Sequence, residues 1–193
     1  MSDDRPPWTK EEWDKLAPEV ARAMHEYIEP FCVPISMVKG DYGEGWGSGC
    51  YLRLGGRTCI VTNEHIARAV QRQPLAYQLA GIDSVFALNA EFAAKEWPLD
   101  LAMCWVPETV WTTSGHRSKA VTCEMMALVH APAPGELLTF AGYSGDRVRF
   151  HFGALFSRGN SSTGVRSTFP TEGGQLTADF TLRLTIGPIL PWT

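Results

Sequence analysis

Two short alternating segments joined by a pair of glycines restrict the fold of this chain more than any other feature. Residues 50–54 alternate between apolar and other side chains, Gly55-Gly56 supplies a two-residue turn, and residues 57–62 return as a run rich in β-branched residues. Alternation with a period of two around such a turn predicts an antiparallel hairpin. His65 follows the return segment, so the hairpin is expected to carry an imidazole to the end of a strand, where a helical turn begins.

Further β segments extend this pattern over most of the chain. Several short strands separated by turn residues predict a sandwich or a barrel. At 193 residues the chain is long enough for one large domain or two small lobes with a real core. The expected fold class is therefore all-β. Strands are predicted at residues 31–39, 49–54, 58–62, 84–89, 100–105, 121–129, 136–143, 147–157 and 178–186.

The first 32 residues have a different character. Residues 9–12 (Thr-Lys-Glu-Glu) form a capping-box pattern. Apolar residues at helical spacing continue to about Tyr27, and Pro18 is predicted to start a second helix. We expect residues 1–32 to be a helical N-terminal extension that packs on the β part. The apolar face is formed by Trp13, Leu16, Val20, Met24 and Ile28.

Composition and charge narrow the expected partners and compartment. The net charge of −4 gives no reason to expect nucleic acid or an anionic membrane surface as a partner. No window approaches the roughly 20 apolar residues of a membrane span, and the acidic N-terminus does not resemble a secretory signal. No histidine pair has the helical spacing of metal ligands. The expectation is a cytoplasmic protein without a metal or cofactor.

The five cysteines are predicted to be free thiols. They are scattered, mostly within apolar runs, and none forms a C-x-x-C pair. Cys50 and Cys59 are expected to face each other across the hairpin, and a reducing compartment would keep them unlinked. The other three are Cys32, Cys104 and Cys123.

The segments around the hairpin resemble the trypsin-like (chymotrypsin-fold) serine peptidases. Gly47-Ser48-Gly49 before the hairpin is similar to that family's G-[ST]-G element, and Val61 to Ile66 (V-T-N-E-H-I) is similar to the segment that carries its catalytic histidine. Asp100-Leu101-Ala102 looks like the strand that carries the aspartate of the triad. The resemblance implies that His65 is the general base and that Asp100 orients and stabilises it.

The same resemblance implies a double β-barrel. Residues 33–112 would form the first lobe, with His65 and Asp100, and residues 113–193 the second. Residues 132–143 resemble a segment of the second barrel in that family. Too few strands are predicted in this part to complete a barrel, so the second lobe is expected to be incomplete, with an open sheet edge.

The nucleophilic serine of the family is not evident. Ser161 lies in a G-N-S-S-T-G stretch, and Thr185 precedes Ile186-Gly187-Pro188. Neither hydroxyl residue is followed by glycine, which the family uses to fold the oxyanion-binding loop. Ser161 and Thr185 are the weak candidates, and a chain that ends before its nucleophile loop is the remaining interpretation.

Two functions therefore stay open, and so does whether the chain is an enzyme. One is a trypsin-like serine endopeptidase domain acting on a peptide or protein, with turnover at background level where no serine is correctly held. The other is a peptidase-derived binding or regulatory module with a protein partner. A third interpretation is an unrelated β-barrel whose motifs match by chance. The sequence gives no substrate preference and no oligomeric state.

Overall fold

The computed structural model describes residues 9–127, 129, 137–143, 148–151, 154–157 and 160–165. The described residues are mostly antiparallel β-sheet with one long N-terminal helix, which confirms a β-rich fold. The strands are β1 Cys32–Lys39, β2 Tyr42–Leu54, β3 Arg57–Thr62, β4 Leu75–Gln78, β5 Val85–Ala87, β6 Ala93–Lys95, β7 Leu101–Trp105, β8 Leu137–Gly142, β9 Val148–His151, β10 Ala154–Ser157 and β11 Asn160–Val165. The α-helices are α1 Lys10–Ile28, α2 Glu64–Ala67 and α3 Glu108–Trp111, and 3₁₀ turns occur at Glu29–Phe31, Arg68–Gln71 and Cys123–Met125.

Helix α1 begins with the predicted capping box. The Glu12 N–H donates to Thr9 Oγ1 (3.2 Å), and the Thr9 N–H donates to a Glu12 carboxylate oxygen (2.8 Å). The prediction that Pro18 starts a second helix is wrong, because α1 continues through it. Pro18 is exposed, so a missing main-chain donor at that position costs less than it would in a core. The five residues of the predicted apolar face are all half-buried.

The larger sheet has nine strands, and seven of them follow the order β5-β4-β1-β2-β3-β7-β6. Strand β9 pairs with both β2 and β10, and β8 pairs with β11 in a separate two-stranded sheet. The turn between β2 and β3 is the predicted one: Gly55 and Gly56 have φ values of 54° and 81°. Positive φ at both positions is the signature of a type I′ hairpin turn, which glycine enters without strain.

Among the described residues this sheet is not closed, since the path ends at β5 and β6 and these two strands do not pair. Both strands are only three residues long, which leaves little ladder with which to close a barrel. The described residues therefore confirm a β-rich fold, and the predicted double barrel stays a prediction. Instead of the strand predicted at residues 121–129, the structure has an isolated bridge from Val121 to Leu52, followed by a 3₁₀ turn.

Two compact units can be distinguished among the described residues, one formed by residues 27–127 with 141–143, 148–151, 154–157 and 160, and the other by residues 9–26, 129, 137–140 and 161–165. The first unit contains the core, and one face of the central strands supplies most of it. The predicted lobe boundaries at residues 32/33 and 112/113 stay predictions. Fully buried core side chains include Val33, Ile35, Tyr51, Ile60, Leu75 and Leu79.

None of the helices in the described part of the chain has both the length and the apolar character needed to cross a membrane.

Candidate functional site

The hairpin β2–β3 places His65 at the start of a helical turn. Strand β3 ends at Thr62, Asn63 remains extended (φ −75°, ψ 147°), and α2 begins at Glu64. The Thr62 hydroxyl donates to the Ser48 carbonyl of β2 (2.9 Å), and the Ala67 N–H donates to the Asn63 carbonyl (3.1 Å). The chain entering α2 is thus held to the hairpin on one side and to its own first turn on the other.

Glycine is required at two positions of β2, Gly47 and Gly49, because other atoms approach them closely. A Cβ at Gly47 would lie 2.4 Å from Ile66 Cδ1, and a Cβ at Gly49 would lie 2.5 Å from the Val61 carbonyl oxygen. Beside them, the Trp46 indole N–H donates to the Ile66 carbonyl (3.0 Å). The G-S-G element therefore lets β2 lie directly against the turn that carries His65.

Asp100 stands at the end of a tight turn, immediately before β7. Its N–H donates to the Glu96 carbonyl (3.2 Å), and its φ is 45°, in the left-handed region. Aspartate tolerates this region better than most residues, because its short polar side chain can hydrogen-bond locally. The pairing of β3 with β7, with Ala102 opposite Thr62, brings this turn next to the start of α2.

His65 and Asp100 are in direct contact. His65 Nδ1 lies 2.6 Å from Asp100 Oδ2, and the His65 main-chain N–H donates to Oδ1 (3.0 Å). The Asn63 side-chain amide donates to Oδ2 and to the Asp100 main-chain carbonyl, both at 3.2 Å. The carboxylate therefore has a partner on each oxygen, and its orientation toward the imidazole is fixed.

These contacts favour an ionised carboxylate. The main-chain hydrogen bond from His65 is the largest of the influences that lower the pKa of Asp100, and partial burial opposes it. The side-chain bonds from His65 and Asn63 lower this pKa further. The His65 side chain is 57% exposed and that of Asp100 26%, so the pair lies at a surface that a second molecule can reach.

The chemistry open to this pair follows from the tautomer. When His65 donates its Nδ1 proton to Asp100, Nε2 carries a lone pair and can accept a proton from a hydroxyl or from water. A positive charge that forms on the ring is then stabilised by the adjacent carboxylate. Among the described residues there is no group of three His, Cys, Asp or Glu side chains that could hold a metal ion.

The two hydroxyl candidates are not brought to this pair by anything the structure describes. Ser161 lies in β11, the strand that pairs with β8, and its side chain is outside the described residues. Thr185 is outside them altogether. Ser161 and Thr185 therefore stay predictions, and no nucleophile is assigned.

Sequence reasoning missed two neighbours of the pair. The side chain of Asn63, which directly follows β3, bonds Asp100, which directly precedes β7. Glu64 is 7% exposed and pairs with Arg68 (Nε to Oε1, 3.3 Å) on the outgoing turn. A carboxylate four residues before an arginine is a detectable signal for the second contact. No local pattern predicts the first, because Asn63 and Asp100 belong to different elements.

Comparisons with known proteins add little. No family model matches the chain, and no curated protein matches it. One solved structure that it resembles is described as "Aromatic interactions drive the coupled folding and binding of the intrinsically disordered Sesbania mosaic virus VPg protein". The two share 21% sequence identity with a TM-score of 0.41, over 74% of this chain and 63% of that one. This chain thus spans less than two thirds of the other, and the likeness is too weak to carry an argument.

Proposed function

We propose that this chain is a trypsin-like serine endopeptidase domain with a double β-barrel, in which His65 is the general base and Asp100 its orienting acid. The observation that carries the proposal is the 2.6 Å contact between His65 Nδ1 and Asp100 Oδ2. It is supported by the main-chain N–H of the same histidine, which holds the second carboxylate oxygen at 3.0 Å. A surface ion pair has no need of this second clamp, whereas a catalytic base does, because it must keep one ring orientation.

In the proposed reaction His65 transfers one proton in each of two stages, acylation and deacylation. Nε2 takes the proton of a hydroxyl nucleophile as that oxygen attacks the scissile carbonyl, and the imidazolium then gives it to the leaving amine. In the second stage Nε2 takes a proton from a water molecule as its oxygen attacks the acyl carbonyl, and the imidazolium returns that proton to the nucleophile oxygen as the acyl–oxygen bond breaks. Asp100 stays ionised throughout and stabilises the imidazolium, while the Asn63 amide holds the carboxylate in place.

Reaction with a fluorophosphonate probe, together with turnover of an activated ester, tests the proposal. In a competent chain, labelling and turnover are expected to fall by about a thousandfold or more in His65→Ala. They should persist in His25→Ala, which removes a histidine from helix α1. Ser161→Ala and Thr185→Ala then show which hydroxyl, if either, accepts the probe. Labelling that survives in His65→Ala would overturn the role of His65.

A binding or regulatory module that has lost catalysis is the second candidate. It is favoured by Ser162 and Ile186, which follow Ser161 and Thr185 where the peptidases have glycine. Wild-type protein that turns over the ester only at background level, with no probe attached, would overturn the enzymatic proposal for this chain. The expected partner is then another protein rather than nucleic acid or a membrane, and the proposed compartment in either case is the cytoplasm.

A further inference from the structure

Strand register places two cysteines directly opposite each other. In the antiparallel pairing of β1 with β2, the Cα partner of Cys32 is Cys50. Directly opposed residues of an antiparallel pair lie on the same face, with Cα atoms about 4.5 or 5.5 Å apart according to the type of pair. Both separations fall within the roughly 4.4–6.8 Å that a disulfide spans.

Neither Cys59 nor Cys104 is directly opposite another cysteine in the strand register. Cys59 is opposite Leu52 and donates its thiol proton to the Leu52 carbonyl (3.4 Å), while Cys104 is opposite Ile60. The partner of Cys50 on β3 is Val61, so the prediction that Cys50 and Cys59 face each other across the hairpin is wrong. The two-residue turn sets this register, which separates the two thiols by a diagonal step.

We propose that Cys32 and Cys50 form a disulfide-forming site that closes by exchange with a small-molecule disulfide such as glutathione disulfide. Of these two thiols, the half-buried Cys50 is the one that such an oxidant reaches first, since Cys32 is 7% exposed. The Cys50 thiolate attacks one sulfur of glutathione disulfide and releases a glutathione thiolate. The Cys32 thiolate then attacks Cys50 Sγ and releases the second. Two protein thiols are oxidised and one glutathione disulfide is reduced to two glutathiones.

The environment of the pair determines how fast this happens. Burial raises the pKa of the Cys50 thiol. Burial also raises the pKa of the Cys32 thiol to about 11, with smaller contributions from the nearby Cys50 and Glu29. The thiolate is therefore scarce near neutral pH, and exchange is slow there. Cys32 must also leave its weak contact with the Ala141 carbonyl (3.8 Å). The link would tie β1 to β2 next to Gly49, the residue that pairs with Thr62 at the base of the His65 segment.

Oxidation of the whole folded chain by glutathione disulfide, near pH 8.5 where a free cysteine is about half thiolate, tests the proposal. Alkylation, proteolysis without reduction and mass spectrometry then identify the linked peptides. The expected product joins Cys32 to Cys50, with little glutathione left on Cys50. The same reaction in urea should favour Cys50–Cys59, because these two thiols are the closest in sequence and close the shortest loop.

Two variants sharpen the result. Cys32→Ser should trap the mixed disulfide of Cys50 with glutathione, and Cys123→Ser, which removes the exposed thiol, should leave the Cys32–Cys50 link unchanged. A stable glutathione adduct on Cys50 of the folded wild type, or a folded-state link from Cys50 to any other cysteine, would overturn the proposal. If Cys32→Ser does not fold, the comparison of native and urea-treated wild type still decides.

Discussion

The Asp100 carboxylate is held by two residues of the segment that enters α2. Asn63 donates to it through its side-chain amide, and His65 contacts it through both its main-chain N–H and its ring. These contacts therefore fix the position of the aspartate relative to both the α2 backbone and the imidazole ring. Substitution of Asn63 would remove one donor and leave the main-chain donor in place. At the scale of residues, the pair is held by the backbone as much as by charge.

This arrangement predicts how stability depends on pH. Hydrogen bonding lowers the pKa of Asp100 in the folded state, so its carboxylate stabilises the fold above the ordinary carboxyl pKa of about 3.9. That contribution is lost as the pH falls through the lowered pKa. Asp100→Asn suits the left-handed backbone but does not titrate. We expect the free energy of unfolding of the wild type to exceed that of Asp100→Asn by its full amount from about pH 5 upward, and the difference to shrink toward pH 2.

Urea unfolding of both proteins across that range is the measurement. A difference that stays constant from pH 5 to pH 2, within the error of the extrapolation, would contradict the coupling between Asp100 and the fold.

At the scale of elements, β2 can approach α2 and β3 closely because glycine has no Cβ at positions 47 and 49. The two positions differ in what a new Cβ would meet: the end of the Ile66 side chain at Gly47, and the main chain of β3 at Gly49. A side-chain end can change rotamer, whereas a paired strand cannot move without breaking its ladder. The same substitution should therefore have different consequences two residues apart.

We expect Gly49→Ala to destabilise the protein by about 1–3 kcal/mol or more, through overpacking against β3. Gly47→Ala should cost less, and Ile66→Val, which removes the clashing Cδ1, should recover part of that loss in the double variant. Urea unfolding of the wild type, Gly47→Ala, Ile66→Val and the double variant measures this as a double-mutant cycle, and Gly49→Ala is measured with and without Ile66→Val in the same way. If Ile66→Val rescues Gly49→Ala equally well, the distinction between the two contacts is wrong.

Elements with a strong local pattern could be predicted from sequence. The two-glycine turn fixed the hairpin, and Thr9 and Glu12 fixed the start of α1. Strand β4 was missed because all four of its residues are buried, so it has no alternation to detect. Helix α1 was divided at Pro18 because a local breaker rule was applied where exposure makes it weak.

The site was predictable to the same extent. His65 and Asp100 could be named because each stands in a short segment with a characteristic pattern. Asn63 could not, since its contact depends on how β3 pairs with β7. The opposition of Cys32 and Cys50 was missed for a similar reason, because it is set by the pairing of β1 with β2. Strand β2 begins at Tyr42, seven residues before the predicted start at residue 49.

At the scale of the whole molecule, the seven-strand path of the larger sheet has two ends. Strands β5 and β6 terminate it, and every residue of β6 is exposed. The central strands β1 and β2 have partners on both sides, and β1 carries five consecutive buried residues. Stability should therefore decrease from the centre of the sheet toward these ends.

Native-state hydrogen exchange is expected to reproduce this order. Amides of β1, β2 and β3 that donate within the sheet should exchange only by global unfolding, and those of β5 and β6 should exchange faster, through local opening. Amide-resolved exchange measured by NMR is the test. Equal protection of β5, β6 and the central strands would mean that the two ends pair, as a closed barrel requires, and that the open path is wrong.

The left-handed backbone of Asp100 restricts what can replace it. Of the twenty residues, glycine, asparagine and aspartate enter that region most readily, so selection for folding alone would allow few residue types at this position. Aspartate and asparagine codons differ by a single base. One transition at this codon can therefore remove the carboxylate without demanding a new backbone conformation, so a single base change separates the proposed base–acid pair from a folded chain that lacks it.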